Sequence, residues 1–577
     1  MHLKRSDKVK QTKTGWLAVA TALGIATSSA IATPARDTRQ DMDHLERQRQ
    51  QEQIQKEIER ERAFSEQHRA VTPAPDAKEQ PLQNKATFLV SHIQLLGDDS
   101  PSAEAKAILA AYEGKTMGAA EIMAVVRDLT NHYIERGYVT TVVTVHPGTL
   151  KSGTLTLEVK WGTIKDMTRN GKPVDGIRDT LRLFGAMPFA EGARLNLQDI
   201  DQAVDNLVRG GGNDKIRIVP GDEVGSSVLD VTGEDPKLLN FGIGVNNSGR
   251  EVEGWNQYST NFGINNVLGL NDSISAYYAQ QDFKDSANSQ RIGSVNYSLP
   301  IGYWTFDASW YGSQYEKMID GYFGRYASDG TSQRLNLKLS RVLHRDAQGK
   351  TSGYMKFANR SNTNGIEGTQ TSINSKRYSE VGAGVTHVGT LANGWLYADL
   401  GVNFGVPWMG GAWRSDPDLA GFDTDFTKFN GMATWTRPFK VGNVDFVYDV
   451  GTGFQYSPNT LVTDARLSIG DEYTVRGFKD TAFYGDSGAY LSNTLRLPLR
   501  ANVLGGIEVA PFVGYDGGVV KNYAPGSKPE YVMGAAVGFR FSGKYLTSSL
   551  SYGWPIASPA QSQTLARALN YRLDLRY

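Results

Sequence analysis

The 577-residue chain contains no cysteine, which excludes a disulfide-stapled fold and any thiolate metal site. It carries no excess charge, 61 basic side chains standing against 61 acidic ones, so no basic surface points to nucleic acid as a main partner. Beyond the first 32 residues no apolar run reaches the roughly 18 residues of a membrane-spanning helix, so a mature chain that crosses a bilayer must use strands. Aromatic side chains are scarce at first: residues 1–236 hold nine of the 59 Phe, Trp and Tyr. Catalytic patterns are missing too. The eight His include no HExxH pair, and Gly242-x-Gly244 has Asn247 where a dinucleotide loop needs its third Gly. Leu109 and His344 stand where a phosphate loop needs Gly before Gly114-Lys115-Thr116 and Gly349-Lys350-Thr351, so both segments are expected to be turns. Gly485-Asp486-Ser487-Gly488 has the look of a serine nucleophile segment, but Ala489 breaks it and no companion His and Asp segments occur. No enzyme, cofactor or metal site is expected, and no nucleotide partner.

What is present begins with Lys4, Arg5, Lys8, Lys10 and Lys13, a mostly apolar stretch Trp16 to Ala26, and small residues at Ala30-Ile31-Ala32. This pattern predicts a secretory signal peptide over residues 1–32. From about Lys237 onward, alternating segments are separated by Gly, Asn, Asp and Pro clusters. Leu239, Phe241, Ile243 and Val245 alternate with Asn240, Gly242, Gly244 and Asn246, and Leu335, Leu337 and Leu339 alternate with polar neighbours. Met533, Ala535, Val537, Phe539 and Phe541 repeat the pattern, as do the final Tyr571, Leu573, Leu575 and Tyr577. A soluble sandwich also alternates, but the 50 aromatics after residue 236 fit the two interfacial girdles of a transmembrane β-barrel better. The segments predict about sixteen strands of some ten residues over 237–577, with the terminal aromatic closing the last one.

Residues 85–162 and 163–236 read as two small α/β units, with Gly137 expected as the C′ residue of a long helix and Asn196 near a cap. Residues 37–64 are helix-prone and rich in Gln, Glu and Arg; residues 65–84, with Pro73, Pro75 and Pro81, read as a linker. Met42, Leu45, Ile54 and Ile58 do not share one helical face, since Leu45 and Ile54 are about half a turn out of phase. Such a helix stands in solvent or fills a polar cavity.

Leu467-Ser-Ile-Gly-Asp-Glu-Tyr-Thr-Val-Arg-Gly-Phe478 strongly resembles the loop signature of the outer-membrane transporters of two-partner secretion, the TpsB family, with Val475, Arg476, Gly477 and Phe478 at its centre. Phe512-Val-Gly-Tyr-Asp-Gly-Gly518 resembles their second barrel motif, Phe-x-Gly-x-Asp-x-Gly, through Phe512, Gly514, Asp516 and Gly518. Arg136 to Thr140 and Ser152 to Leu155 resemble the first of their polypeptide-transport-associated (POTRA) domains; Pro188-Phe189, Asn196 to Leu207 and Pro220-Gly221 resemble the second. A departure falls at Asn493-Thr494, where the second residue is often acidic.

The resemblance implies a mainly β protein of the outer membrane of a Gram-negative bacterium. It would have a plug helix (37–64), a linker (65–84), two periplasmic POTRA domains (85–162 and 163–236) and a sixteen-stranded barrel (237–577). A loop over about 457–487 would fold inward, Arg476 pairing with Asp516 as a loop-to-barrel lock, and Tyr571, Leu573, Leu575 and Tyr577 would serve as the barrel's C-terminal signal. The function implied is export of an unfolded exoprotein: an adhesin, a haemolysin or a contact-dependent growth-inhibition toxin. The implied partners are a TpsA-type exoprotein with an N-terminal secretion domain, outer-membrane lipid and the barrel-assembly machinery. A gated solute porin and a barrel-assembly factor are the alternative readings.

Overall fold

The computed structural model describes residues 32–68, 86–147, 153–223, 225–249, 255–281, 288–321, 323–346, 348–371, 375–411, 413, 421–479, 481–500, 506–559 and 567–577. The expected signal peptide lies outside these residues except for Ala32, and of the expected linker only Ser65 to His68 fall inside. Both of those described portions are helical, because the N-terminal helix runs Ala32–His68 and overshoots the expected 37–64 at each end. At about 1.5 Å per residue it is about 55 Å long, enough to pass through a barrel and emerge.

The first α/β unit packs helices Ala103–Tyr112 and Ala119–Glu135 on a sheet in which His92–Leu96 lies parallel to Thr154–Lys160, with Val142–Val145 antiparallel beyond. Gly137 ends the longer helix at φ 91°, a conformation open to Gly at little cost. The second unit orders its strands Lys172–Pro173, Thr163–Arg169, Ser226–Thr232 and Lys215–Pro220 under helices Ile177–Ala186 and Leu197–Arg209. Asn196 caps the latter helix by accepting from the Gln198 N–H.

Sixteen antiparallel strands, β1 to β16 below, close the barrel. They are β1 Leu239–Asn246, β2 Gln257–Asn265, β3 Ser273–Gln281, β4 Ser289–Ile301, β5 Trp304–Gly321, β6 Gly324–Arg345, β7 Gly349–Ile366, β8 Lys376–Leu391, β9 Gly394–Val406, β10 Thr427–Val441, β11 Val444–Tyr456, β12 Ser487–Arg496, β13 Glu508–Lys521, β14 Glu530–Ser542, β15 Leu546–Ala557 and β16 Ala568–Arg576. Closure is made by β16 on β1, in the register Ile243↔Leu575 and Val245↔Leu573. The outward alternation follows from strand geometry: Leu239, Phe241, Ile243, Val537, Phe539, Leu573 and Leu575 are exposed on the barrel wall. Strand length departs from the expected ten residues. β5 and β6 have 18 and 22, their hairpin ladder continuing past the length a bilayer requires. The expected turn at Gly349-Lys350-Thr351 is instead the start of β7, and Lys115-Thr116 opens the short strand Lys115–Met117.

The Ala32–His68 helix lies inside the barrel. Met42 and Leu45 pack against Tyr277, Ala279, Ile292 and Tyr311 of β3 to β5, while Ile54 and Ile58 meet Val388, Trp395, Tyr397 and Met432 of β8 to β10. The half-turn offset between the two apolar pairs thus matches two different stretches of wall.

Candidate functional site

Two constellations occupy the lumen. The first is at the tip of the segment between β11 and β12, which turns inward through the ribbon Leu467–Ile469 and Phe483–Gly485. Ile469, Val475, Phe478 and Phe483 bury themselves against Val520 and Val532 of the wall, which seats the tip. Arg476 is thereby aimed at Asp516 on β13. Its Nε donates to Oδ2 and its Nη2 to Oδ1, both at 2.6 Å, and its backbone N–H adds a 3.0 Å bond to Oδ2. Nη2 also donates to the Asn493 carbonyl at 2.8 Å, and the Asn493 N–H donates back to Asp516 at 3.1 Å. Asp516 is fully buried, so this bidentate pair works where water does not compete. Gly514 and Gly534 make room for it: a Cβ at the first would run into the guanidinium, and at the second into the Arg476 carbonyl. Gly477, at φ 103°, lets the chain turn against Trp554.

The second constellation follows the helix. Near its extracellular end Arg334 pairs with Asp43 at 2.7 Å and with Glu46 at 2.9 Å, and Arg360 reaches Glu46 at 3.2 Å. On the opposite side His44 contacts Glu472 at 3.0 Å, and Arg47 pairs with Asp471, so the helix also holds the inward loop. Arg572 of β16 donates to Gln48 and to the Tyr473 hydroxyl, each at 3.0 Å. At the periplasmic end a compact cluster joins three elements. Lys350 at the foot of β7 meets Glu57 at 2.5 Å and Asp205 at 2.9 Å; Arg345 at the foot of β6 meets Asp205 at 3.1 Å; Arg209 meets Glu57 at 3.1 Å. Asp205 and Arg209 belong to the Leu197–Arg209 helix of the second α/β unit, which therefore touches helix and barrel at once.

Burial pushes these carboxylates up, and the surrounding cations decide the outcome. For Glu46, Arg360 and Arg334 overcome burial and hold it at about 2; for Glu472, His44 and Arg572 also bring it to about 2. Glu57 and Asp205 are likewise held below the usual carboxylate range by Arg209, Lys350 and neighbouring cations. Glu61 differs: burial prevails over Arg345 and Lys350, and its carboxyl is raised.

Of the residues singled out in the sequence, Arg476, Asp516, Val475, Gly477, Phe478, Phe512, Gly514 and Gly518 come together at the loop tip, Phe512 with its ring centroid 6.0 Å from the Arg476 guanidinium carbon. Tyr571, Leu573, Leu575 and Tyr577 lie apart, along β16 and just beyond it. Beside Thr494, where the family residue is often acidic, the Asn493 main chain contacts the Arg476–Asp516 pair. Ser487 of the protease-like segment hydrogen-bonds Ser457, and the neighbouring Asp486 accepts from Leu461, Arg466 and Tyr523. Sequence reasoning missed Arg334, Arg360, Arg345 and Lys350. Their signal was available: charged side chains within strands that face a membrane protein's interior.

The profile described as haemolysin secretion/activation protein ShlB/FhaC/HecB matches residues 225–541, and two POTRA profiles match 88–162 and 163–220. The outer membrane transporter CdiB of Dickeya dadantii is 28% identical over 581 residues, covering 99% of this chain and 100% of its own. The hemolysin transporter protein ShlB of Serratia marcescens is 28% identical over 78% of this chain and 79% of its own. The solved structure of CdiB from Escherichia coli, 26% identical, superposes with a TM-score of 0.81 over 92% of this chain and 98% of that one.

Proposed function

The chain belongs to the ShlB/FhaC/HecB family of haemolysin secretion/activation proteins, and from that premise we propose how its parts divide the work of secretion. It is an outer-membrane transporter of the two-partner secretion type, its barrel in the membrane and its POTRA domains in the periplasm. The family is a transporter family rather than an enzyme class, and we assign the chain no reaction. Its cargo is a TpsA-type exoprotein, an adhesin, a haemolysin or a contact-dependent growth-inhibition toxin, recognised through an N-terminal secretion domain.

The observation that carries the reading is the polar helix, paired along its length with the lumen wall, with the inward loop and with the second POTRA domain. It is a plug held by polar bonds, and polar bonds exchange readily for water when it leaves. Capture precedes opening. In the second domain the Leu197–Arg209 helix is buried between its own core and the barrel, and Thr163–Arg169 is flanked by Lys172–Pro173 and by the 192–194 segment, so neither is open to cargo. Among the described residues, Lys215–Pro220 pairs on one side alone and is the edge we assign to strand augmentation. The cargo then displaces the plug and threads the lumen extended, drawn outward by folding at the surface. The Arg476–Asp516 lock keeps the loop tip on the wall during passage, and the C-terminal residues Tyr571 to Tyr577 address the barrel to its assembly machinery.

Single-channel conductance in planar bilayers tests the plug. The mature protein is expected to be mostly closed and a variant lacking residues 37–64 open. Equal, high conductance of both would favour a solute porin instead.

A further inference from the structure

The Ile177–Ala186 helix of the second POTRA domain uses two of its faces within the protein. Leu183 and Ala186 pack into the domain core with Ala203 and Leu207 of the Leu197–Arg209 helix. About a third of a turn away, Arg178, Arg182 and Gly185 press upward on the barrel's periplasmic turns. The Gly185 carbonyl accepts from the Gly302 N–H at 2.9 Å, Arg182 and Asn271 exchange bonds of 3.2 and 2.7 Å, and Arg178 and Leu181 lie against Gly269. A third face remains. Ile177, Leu181 and Phe184 fall within about 60° of one another at 100° per residue and form a ridge, with Ile177 81% and Phe184 69% exposed.

The direction of this ridge follows from what surrounds it. The Leu197–Arg209 helix reaches the plug inside the lumen through Arg209 and Asp205, so the side of the Ile177–Ala186 helix that faces it is the pore side. The ridge is on roughly the opposite side, pointing outward from the barrel axis. Immediately above are Val267 and Leu268, both exposed, in the turn that joins β2 to β3. Those strands carry the lipid-facing Tyr258, Phe262 and Tyr278. Exposed apolar side chains thus run from the bilayer face of the barrel, through the turn, onto the POTRA helix.

We propose that the Ile177–Ala186 helix is a monotopic membrane contact, its Ile177/Leu181/Phe184 ridge seated in the periplasmic leaflet of the outer membrane beside the barrel. Interfacial helices bury such a face about 5–10 Å into the headgroup and acyl boundary, the depth available to a helix pressed against the barrel's own turns. The ridge is convex, whereas capture of an extended peptide needs a groove or a free strand edge, and continuity with the lipid-facing band selects lipid over cargo. The contact gives the second POTRA domain a fixed height below the pore.

Since the chain has no cysteine, single-cysteine variants report without background. Bimane-labelled Ile177→Cys and Phe184→Cys proteins, full-length and mature, are reconstituted in phosphatidylethanolamine/phosphatidylglycerol liposomes with and without brominated acyl chains. Asp222→Cys, in the 220–226 hairpin away from the barrel, is the control. The expected result is blue-shifted emission and at least twofold quenching by brominated lipid at 177 and 184, with none at 222. Emission at 177 and 184 matching that at 222 overturns the proposal. So does an adduct between the secreted exoprotein and a photo-crosslinking residue at 184 in secreting cells, which would assign the ridge to cargo.

Discussion

Arg476 shows how much of the loop's position rests on a single side chain. Its guanidinium serves both oxygens of a buried carboxylate and a main-chain carbonyl, three directions that one ammonium cannot reproduce. Arg476→Lys is expected to lower exoprotein secretion about ten- to a hundredfold, the loss of about one charge-assisted hydrogen bond of 1.5–3 kcal/mol, while heat-modifiable barrel persists in the membrane. Asp516→Ala should be worse, because it strands a buried cation at a cost of about 3–5 kcal/mol. Disappearance of the barrel itself in either variant would make the pair a folding device. Gly534→Ala tests the same lock from the wall side. The added methyl would meet the Arg476 carbonyl in a strand that otherwise tolerates Ala, so the tip should lift and secretion fall without loss of barrel, as immunoblots of medium and membrane fractions would show.

Among elements, the helix in the lumen is the one whose chemistry can be titrated. Glu46, Glu57, Glu472 and Asp205 are all held below their free values, so their contribution to the plugged state is complete above pH 4.5 and is lost as pH falls towards about 2. Glu61 has the opposite sign: raised by burial, it strengthens the plugged state as it takes up a proton. The mature protein should therefore be at least as closed at pH 5 as at pH 7.5, and conductance rising at pH 5 would refute the cation assignments. Lys350→Glu, which adds a carboxylate beside Glu57, Glu61 and Asp205, should raise the open fraction at neutral pH in the same bilayer recording. The sequence already carried much of this element: the phase mismatch of Leu45 and Ile54 signalled a helix without a common core face. What it could not carry was the partner of each face, since β3 to β5 and β8 to β10 are brought around the helix only by barrel closure. The strands were legible from period two. The long β5–β6 hairpin was not, because nothing in an alternating pattern marks where the bilayer ends. The Arg476–Asp516 contact was legible through its two motifs, whereas Lys350 was hidden in a segment resembling a turn.

For the whole molecule, the reading separates from barrel assembly by breadth. Deleting the gene should abolish export of the exoprotein partner and leave the amounts of other outer-membrane barrels unchanged in a membrane proteome; a general fall would point to assembly instead. The shared carboxylate of Asp205 has a consequence at this scale. It is hydrogen-bonded to the barrel through Arg345 and Lys350 and lies 3.7 Å from Arg209, which in turn pairs with Glu57 of the lumen helix. Docking of the second POTRA domain and retention of the plug therefore form one linked equilibrium, and linkage is reciprocal: whatever factor plug departure takes from domain docking, a ligand that undocks the domain returns to plug departure. Under the proposed function, a cargo segment that binds in the periplasm releases the lumen helix without touching it, and the energy of recognition becomes the energy of opening.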